Sequence, residues 1–136
     1  MSYQFTISPD MSTRHLSGWY VFNTWMQKTL GEKIHLELFN DFEQCRAAVK
    51  EGRVDLIYAN PYDASLLVRD QGFVPIAHPR GRPDEVVIAV PADSEIRRIE
   101  DLKSGVRIAT STDPEVNVIG MIMLEAADLG RGDVTF

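Results

Sequence analysis

The stretch NDFEQCRAAVKEGRVDLIYANPYDASLLV, residues 40–68, decides the fold, because it sets helix-start signals, apolar periodicity and a short strand in α-β-α order. Asn40 and Asp41 offer side-chain oxygens to cap a helix, and Gln44 stands where a capping box places its reciprocal partner. Phe42, Cys45 and Val49 then recur at helical spacing, and Gly52 ends the helix. Val54 to Tyr58 is a β-rich run, and Asn60-Pro61 restarts a helix with a cap and a first-turn proline. A strand therefore runs straight into a helix N-terminus, where outward N–H groups suit an anionic or strongly polar ligand. Asn60, Tyr62 and Asp63 stand at that mouth. Such an order points to a binding lobe rather than an active site.

The same alternation extends in both directions. Upstream, Tyr3 to Ile7 reads as a strand that meets Ser8-Pro9-Asp10. Ser12 then caps a helix carrying Leu16, Trp19, Phe22, Met26 and Leu30 in steps of three and four, closed by Gly31. Trp19 and Trp25, six positions apart, fall on different faces, one toward the core. Ile34, Leu36 and Leu38 alternate with Lys33, His35 and Glu37, the period of a strand covered on one side. Downstream, Phe73 to Ala77 and Val86 to Val90 read as two further strands around a breaker-rich connection, His78 to Asp84. Pro91 to Ser94 turns the chain into a short helical turn at Ile99 to Leu102, and Val106 to Ala109 is a strand. Thr112-Asp113-Pro114-Glu115 starts a helix whose buried face is expected from Val118, Ile122, Ala126 and Leu129. Asp133 to Phe136 opens another strand with nothing after it to complete a unit, so the sequence looks cut short.

Composition narrows the function. The chain has 136 residues, 44% of them apolar, enough for a compact core. A net charge of -6, from 20 acidic and 14 basic residues, argues against a nucleic-acid partner, which requires a basic footprint. It does not exclude a small anion, because nearby N–H and hydroxyl groups act more strongly at a cleft than distant charge does. Cys45 is the single cysteine, so neither an intrachain disulfide nor a thiolate metal site forms, and its spacing assigns it to the core. His15, His35 and His78 lie far apart, without metal-ligand spacing. No run approaches the ~20 apolar residues of a membrane span, so direct membrane insertion is not expected. No nucleophile elbow, glycine-rich phosphate loop or His-Glu metal motif occurs. The reading is therefore of a protein that is not an enzyme and needs no cofactor.

Taken together, these residues resemble the substrate-binding components of phosphate, phosphite and phosphonate-type ABC transporters, a branch of the periplasmic binding proteins. Four landmarks carry the resemblance: Ile7 to Asp10 before the first helix; Asp41-Phe42, Ala47 to Val49 and Gly52 to Leu56; Asn60-Pro61-Tyr62; and Val86 to Ala109 with Asp93-Ser94 and Asp101-Leu102-Lys103 inside it. The resemblance covers roughly residues 3–130 and implies an α/β fold of the type 2 class, built of three-layer α/β/α lobes. It implies a first lobe over 1–78 that lacks its return segment, a connection or hinge at 79–85, and the start of a second lobe at 86–136. A typical member is about twice as long, so the chain reads as truncated.

The function implied is capture of a small polar, anionic solute in a cleft between lobes, for an ABC transporter permease. The location implied is periplasmic or extracytoplasmic, with the cytoplasm left open because no signal peptide precedes the first strand. Two alternatives accompany it: a sensory module that drives a signalling output domain, and a lobe that binds no solute and forms a homodimer through an unpaired strand edge near Val134. Candidate ligand-binding residues are Ser8 and Ser12 from the first turn, Asn60 and Tyr62 from the third unit, and Ser111 and Thr112 from the second lobe. Ser12, Asn60 and Thr112 carry the alternative role of plain N-caps. Phe42 joins the candidates through the resemblance, since it occupies a position where relatives place a ligand-facing Tyr. Asp84 falls near a second such Tyr, and Thr110 to Glu115 replaces a hydroxyl-rich anion cradle while adding two carboxylates.

Overall fold

The computed structural model describes residues 2–81 and 86–135. The chain divides into two compact units, Met1–Pro75 and Ile76–Phe136. In the first, strands β1 (Ser2–Ile7), β2 (Lys33–Leu36) and β3 (Leu56–Tyr58) alternate with helices α1 (Leu16–Leu30), α2 (Phe42–Lys50) and α3 (Pro61–Gln71). The strands form an all-parallel sheet in the order β2-β1-β3, with Tyr3 opposite Ile34 and Thr6 opposite Ile57. β1 is thus the central strand, and it is β3 whose alternate side chains serve two cores, Leu56 and Tyr58 one and Ile57 the other.

Phe5 and Ile7 pack with Ile34 and Leu36 beneath Leu16, Trp19 and Met26 of α1. On the other face Ala48 and Val49 of α2 and Leu67 of α3 close over Val54, Ile57 and Phe73. This period-two split sandwiches the sheet between helical layers, as buried parallel sheets require. Trp19 is the core tryptophan, its ring 4.8 Å from that of Tyr58, whereas Trp25 is exposed and stacks on Phe22. Leu30 is exposed as well, so the buried stripe of α1 stops a turn earlier than its periodicity suggests. The helix instead buries Asn23, whose Nδ2 donates to the Ile34 carbonyl of β2.

Helix boundaries follow the expected chemistry. The Asp41 carboxylate caps α2 by accepting from the Gln44 N–H at 2.8 Å, and the Gln44 amide returns to the carboxylate rather than to the backbone. Asn60 caps α3 and Pro61 opens it. Ser12 caps a short 3-10 turn, Thr13–His15, that leads into α1. Gly72, at φ 71°, reverses the chain after α3 so that Phe73 returns to the core.

The second unit holds β4 (Val106–Arg107), α4 (Pro114–Leu124) and β5 (Val134–Thr135), with β4 and β5 parallel. Leu102, Leu124, Leu129 and Val134 form its core, joined by the 3-10 turn at Ile99–Asp101. Three expectations are corrected here. Phe73 to Ala77 and Val86 to Val90 form no strand: neither run pairs with a strand among the described residues, and the Phe73 N–H is taken by the Leu67 carbonyl at the end of α3. The alternation within the second run is still used, with Ile88 packed on the core and Val87 exposed. The buried face of α4 is set by Gly120, Met121 and Leu124, while Val118, Ile122 and Ala126 are exposed. An apolar helix with little contrast between its faces leaves periodicity unable to choose the side. The N-cap of α4 is Asp113, not Thr112. The reading of Asp84 lies outside the described residues.

Candidate functional site

The order β2-β1-β3 reverses direction between β1 and β3, and open parallel sheets bind ligands outside the carboxyl ends of the strands at such a switch point. Two candidates meet there. Ser8 follows β1 and is buried; its N–H donates to the Tyr58 carbonyl at 2.8 Å, and its Oγ accepts from the Asn60 N–H at 3.4 Å. No described residue accepts the Ser8 hydroxyl proton. Asn60 follows β3 and is buried too, but its side chain is fully used. Its Oδ1 caps α3 through the Asp63 N–H, and its Nδ2 donates to the carboxylates of Asp10 and Asp63, each at 3.2 Å. Asn60 therefore fixes the mouth and presents no free amide to a ligand.

Asp63 continues the network. Its Oδ1 accepts from Nε and Nη2 of Arg46, at 3.0 and 2.6 Å, and its Oδ2 takes the Asn60 amide. The Arg46 guanidinium also lies over the ring of Phe42, 5.2 Å from its centroid, a cation–π contact. A cavity of about 220 Å³ opens at this point between α2 and α3, with Ser8, Phe42, Arg46 and Asp63 in its wall. The Cys45 thiol lines the same cavity, and burial, then the Asp63 carboxylate, pushes its pKa up to about 11.

The remaining candidates stand apart. Tyr62 is half-buried in the first turn of α3, and Ser12 is exposed beyond the β1 turn; neither lines the cavity. Ser111 and Thr112 are exposed at the start of α4, in the second unit. There the Ser111 Oγ accepts from the Asp113 N–H, Asp113 caps through the Glu115 N–H, and Thr110 donates to Asn117. Arg46 escaped the sequence reading. The signal for it was its place one turn after Phe42, on the same face of a helix that Asp41 starts.

A parallel sheet between helical layers, with strand ends feeding capped helices at a switch point, defines a periplasmic-binding-protein-like lobe of the type 2 class. A family model described as ABC transporter, phosphonate, periplasmic substrate-binding protein matches residues 5–135. The chain belongs to that family, one of extracytoplasmic transporter components that hold a small solute and not a family of enzymes. No curated protein and no solved structure matches the chain. Among the described residues, no helix is long and apolar enough to cross a membrane.

Proposed function

We propose that this protein captures a phosphonate- or phosphate-like oxyanion for an ABC transporter, and that the first unit holds it at the carboxyl ends of β1 and β3. The observation that carries this reading is the buried Ser8 hydroxyl beside the N-terminus of α3, with the Arg46 guanidinium in the wall of the same cavity. An oxyanion wants hydrogen-bond donors, and this mouth supplies a hydroxyl proton and a cation at the point where the sheet topology favours a ligand. Asn60 holds the mouth in shape. Ser12 and Tyr62, both in the first unit and at or near a helix start, are secondary contacts in this reading.

The test is thermal unfolding at fixed low salt with phosphate, phosphite, alkylphosphonates and sulfate, against carboxylates and amino acids. A ligand present at ~100 times its dissociation constant adds about 2.7 kcal/mol, a shift of several degrees for a chain of this size. Oxyanions should shift the transition, and Ser8→Ala should shrink the shift. A cooperative transition that no oxyanion moves would sink the proposal.

A further inference from the structure

We infer that the outer flank of α1 is a self-association surface, covered by a second copy of this chain whose own α1 packs antiparallel to it across a twofold axis, with Phe22 and Trp25 of both copies at the centre.

Helix α1 carries two apolar stripes. The inner one, Leu16, Trp19 and Met26, packs on the sheet. The outer one runs through Gly18, Phe22, Trp25 and Thr29 in steps of four, three and four, with Val21 beside it. Such spacing is that of the seam in a pair of packed helices. The stripe stands at the surface, with Val21 70%, Phe22 41% and Trp25 56% exposed. A helix that is apolar on opposite sides is one that two neighbours bury, and among the described residues only the sheet supplies a neighbour.

The outer stripe is also rigid. Ring centroids step outward from the core: Tyr58 lies 4.8 Å from Trp19, Trp19 lies 5.9 Å from Phe22, and Phe22 stacks on Trp25 at 5.6 Å. Phe5 of the central strand supports Phe22 from below at 6.3 Å. A surface tryptophan held in this way loses little rotamer freedom when it is covered, and tryptophans near the centre of an interface carry much of its energy.

Charge selects the occupant. Of the 15 residues of α1, only Lys28 is charged. A basic partner finds no carboxylate on this helix, and an acidic one finds a single ammonium at its end. What fits an uncharged aromatic stripe is another such stripe, and a second copy brings one. Antiparallel pairing about a point between Phe22 and Trp25 sets Phe22 of one copy against Trp25 of the other, twice by symmetry. It also sets Gly18 against Thr29, small residues that let the helices approach; a Cβ added at Gly18 would meet nothing within 4 Å. The two Lys28 ammoniums then lie roughly 13 Å apart along the axis, farther than a Debye length at physiological salt. Phe22, Trp25 and Val21 leave on the order of 300 Å² of apolar surface per copy, a patch size that is often functional on a monomer. With its polar rim the flank reaches about 500–600 Å² per copy, the lower end of specific interfaces, so the dimer forms in the micromolar range.

Sedimentation equilibrium of the full chain from about 1 to about 500 µM is the test, with tryptophan emission followed over the same range. The mass should rise from that of one chain to that of two, and the emission should move to shorter wavelength as Trp25 is covered. Trp25→Glu should raise the dissociation constant about thirtyfold or more, and Val21→Arg about tenfold or more. Tyr20→Ser removes an equally exposed ring on the opposite flank, over β2, and should leave association unchanged. Circular dichroism melts establish that each variant folds. A chain that stays monomeric throughout, or a dimer that Trp25→Glu and Val21→Arg leave intact, would overturn the inference. So would a monomer that binds phosphatidylcholine vesicles through Trp25, which would assign the flank to a lipid surface.

Discussion

Cys45 shows what the interior of the first unit does to a reactive group. With its exposure at 4% and its pKa pushed up to about 11, the thiol stays protonated at neutral pH and is a poor nucleophile even though it lines the cavity. Iodoacetamide at pH 8 should therefore leave the folded protein unlabelled and modify Cys45 only on unfolding, as intact mass would show; fast native labelling would mean that α2 lifts from the sheet. Because the folded pKa lies above the unfolded one, the associated stability is complete below pH ~8.5 and is lost as pH rises toward 11. In the wall of the same cavity, Asp63→Ala removes the acceptor of both Arg46 bonds and one Asn60 bond, and should cost about 2 kcal/mol in urea unfolding. At this scale the sequence was half legible. Ser8, Asn60 and Asp63 could be placed at the mouth from strand-to-helix punctuation alone. Arg46 could not, because its partner lies 17 residues away and only packing of α2 against α3 brings the two together.

Among elements, caps decide where helices begin, and they were the most readable signals in the chain. Asn60→Ala should destabilise by about 1–2 kcal/mol, at the upper end for an N-cap because the residue is buried and also ties down Asp10. Retention of full stability would show that water or Asp10 replaces the cap. In the second unit, the Asp133 carboxylate accepts from the Gly130 N–H at 3.0 Å and from the Ser104 hydroxyl at 2.8 Å, clasping the turn that leads into β5. The Gly130 N–H first, then Ser104, holds its pKa below the ordinary 3.8. A depressed carboxylate stabilises above its unfolded pKa and ceases to do so as pH falls through the folded one. Asp133→Asn should accordingly be less stable than the parent at pH 7, with the difference closing below pH ~4; a constant difference would assign the loss to packing. Legibility failed for α4, where eleven mostly apolar residues give no contrast between faces, and for Phe73 to Ala77 and Val86 to Val90, whose strand composition lacks a neighbour to pair with.

For the molecule, the α/β alternation was enough to fix the class, because a parallel sheet leaves few ways to connect successive βα units. The strand order was beyond it, since register depends on which edge each returning strand finds. Among the described residues the two units differ in substance: the first has two buried clusters and a three-stranded sheet, the second a single cluster of four buried residues and a two-stranded one. Hydrogen exchange should show amides of β1 and α1 protected longer than those of β4 and α4; equal protection would indicate one cooperative unit. The central position of β1 also has a temporal side. Gln4 meets Asp55 across 51 residues, so the innermost strand is synthesised well before the neighbour that completes its coverage. At ~5–20 residues per second, β1 waits roughly 3–10 s with one backbone edge unpaired, and that interval, more than the finished structure, is when a nascent chain of this topology depends on dilution or a chaperone to stay apart from its neighbours.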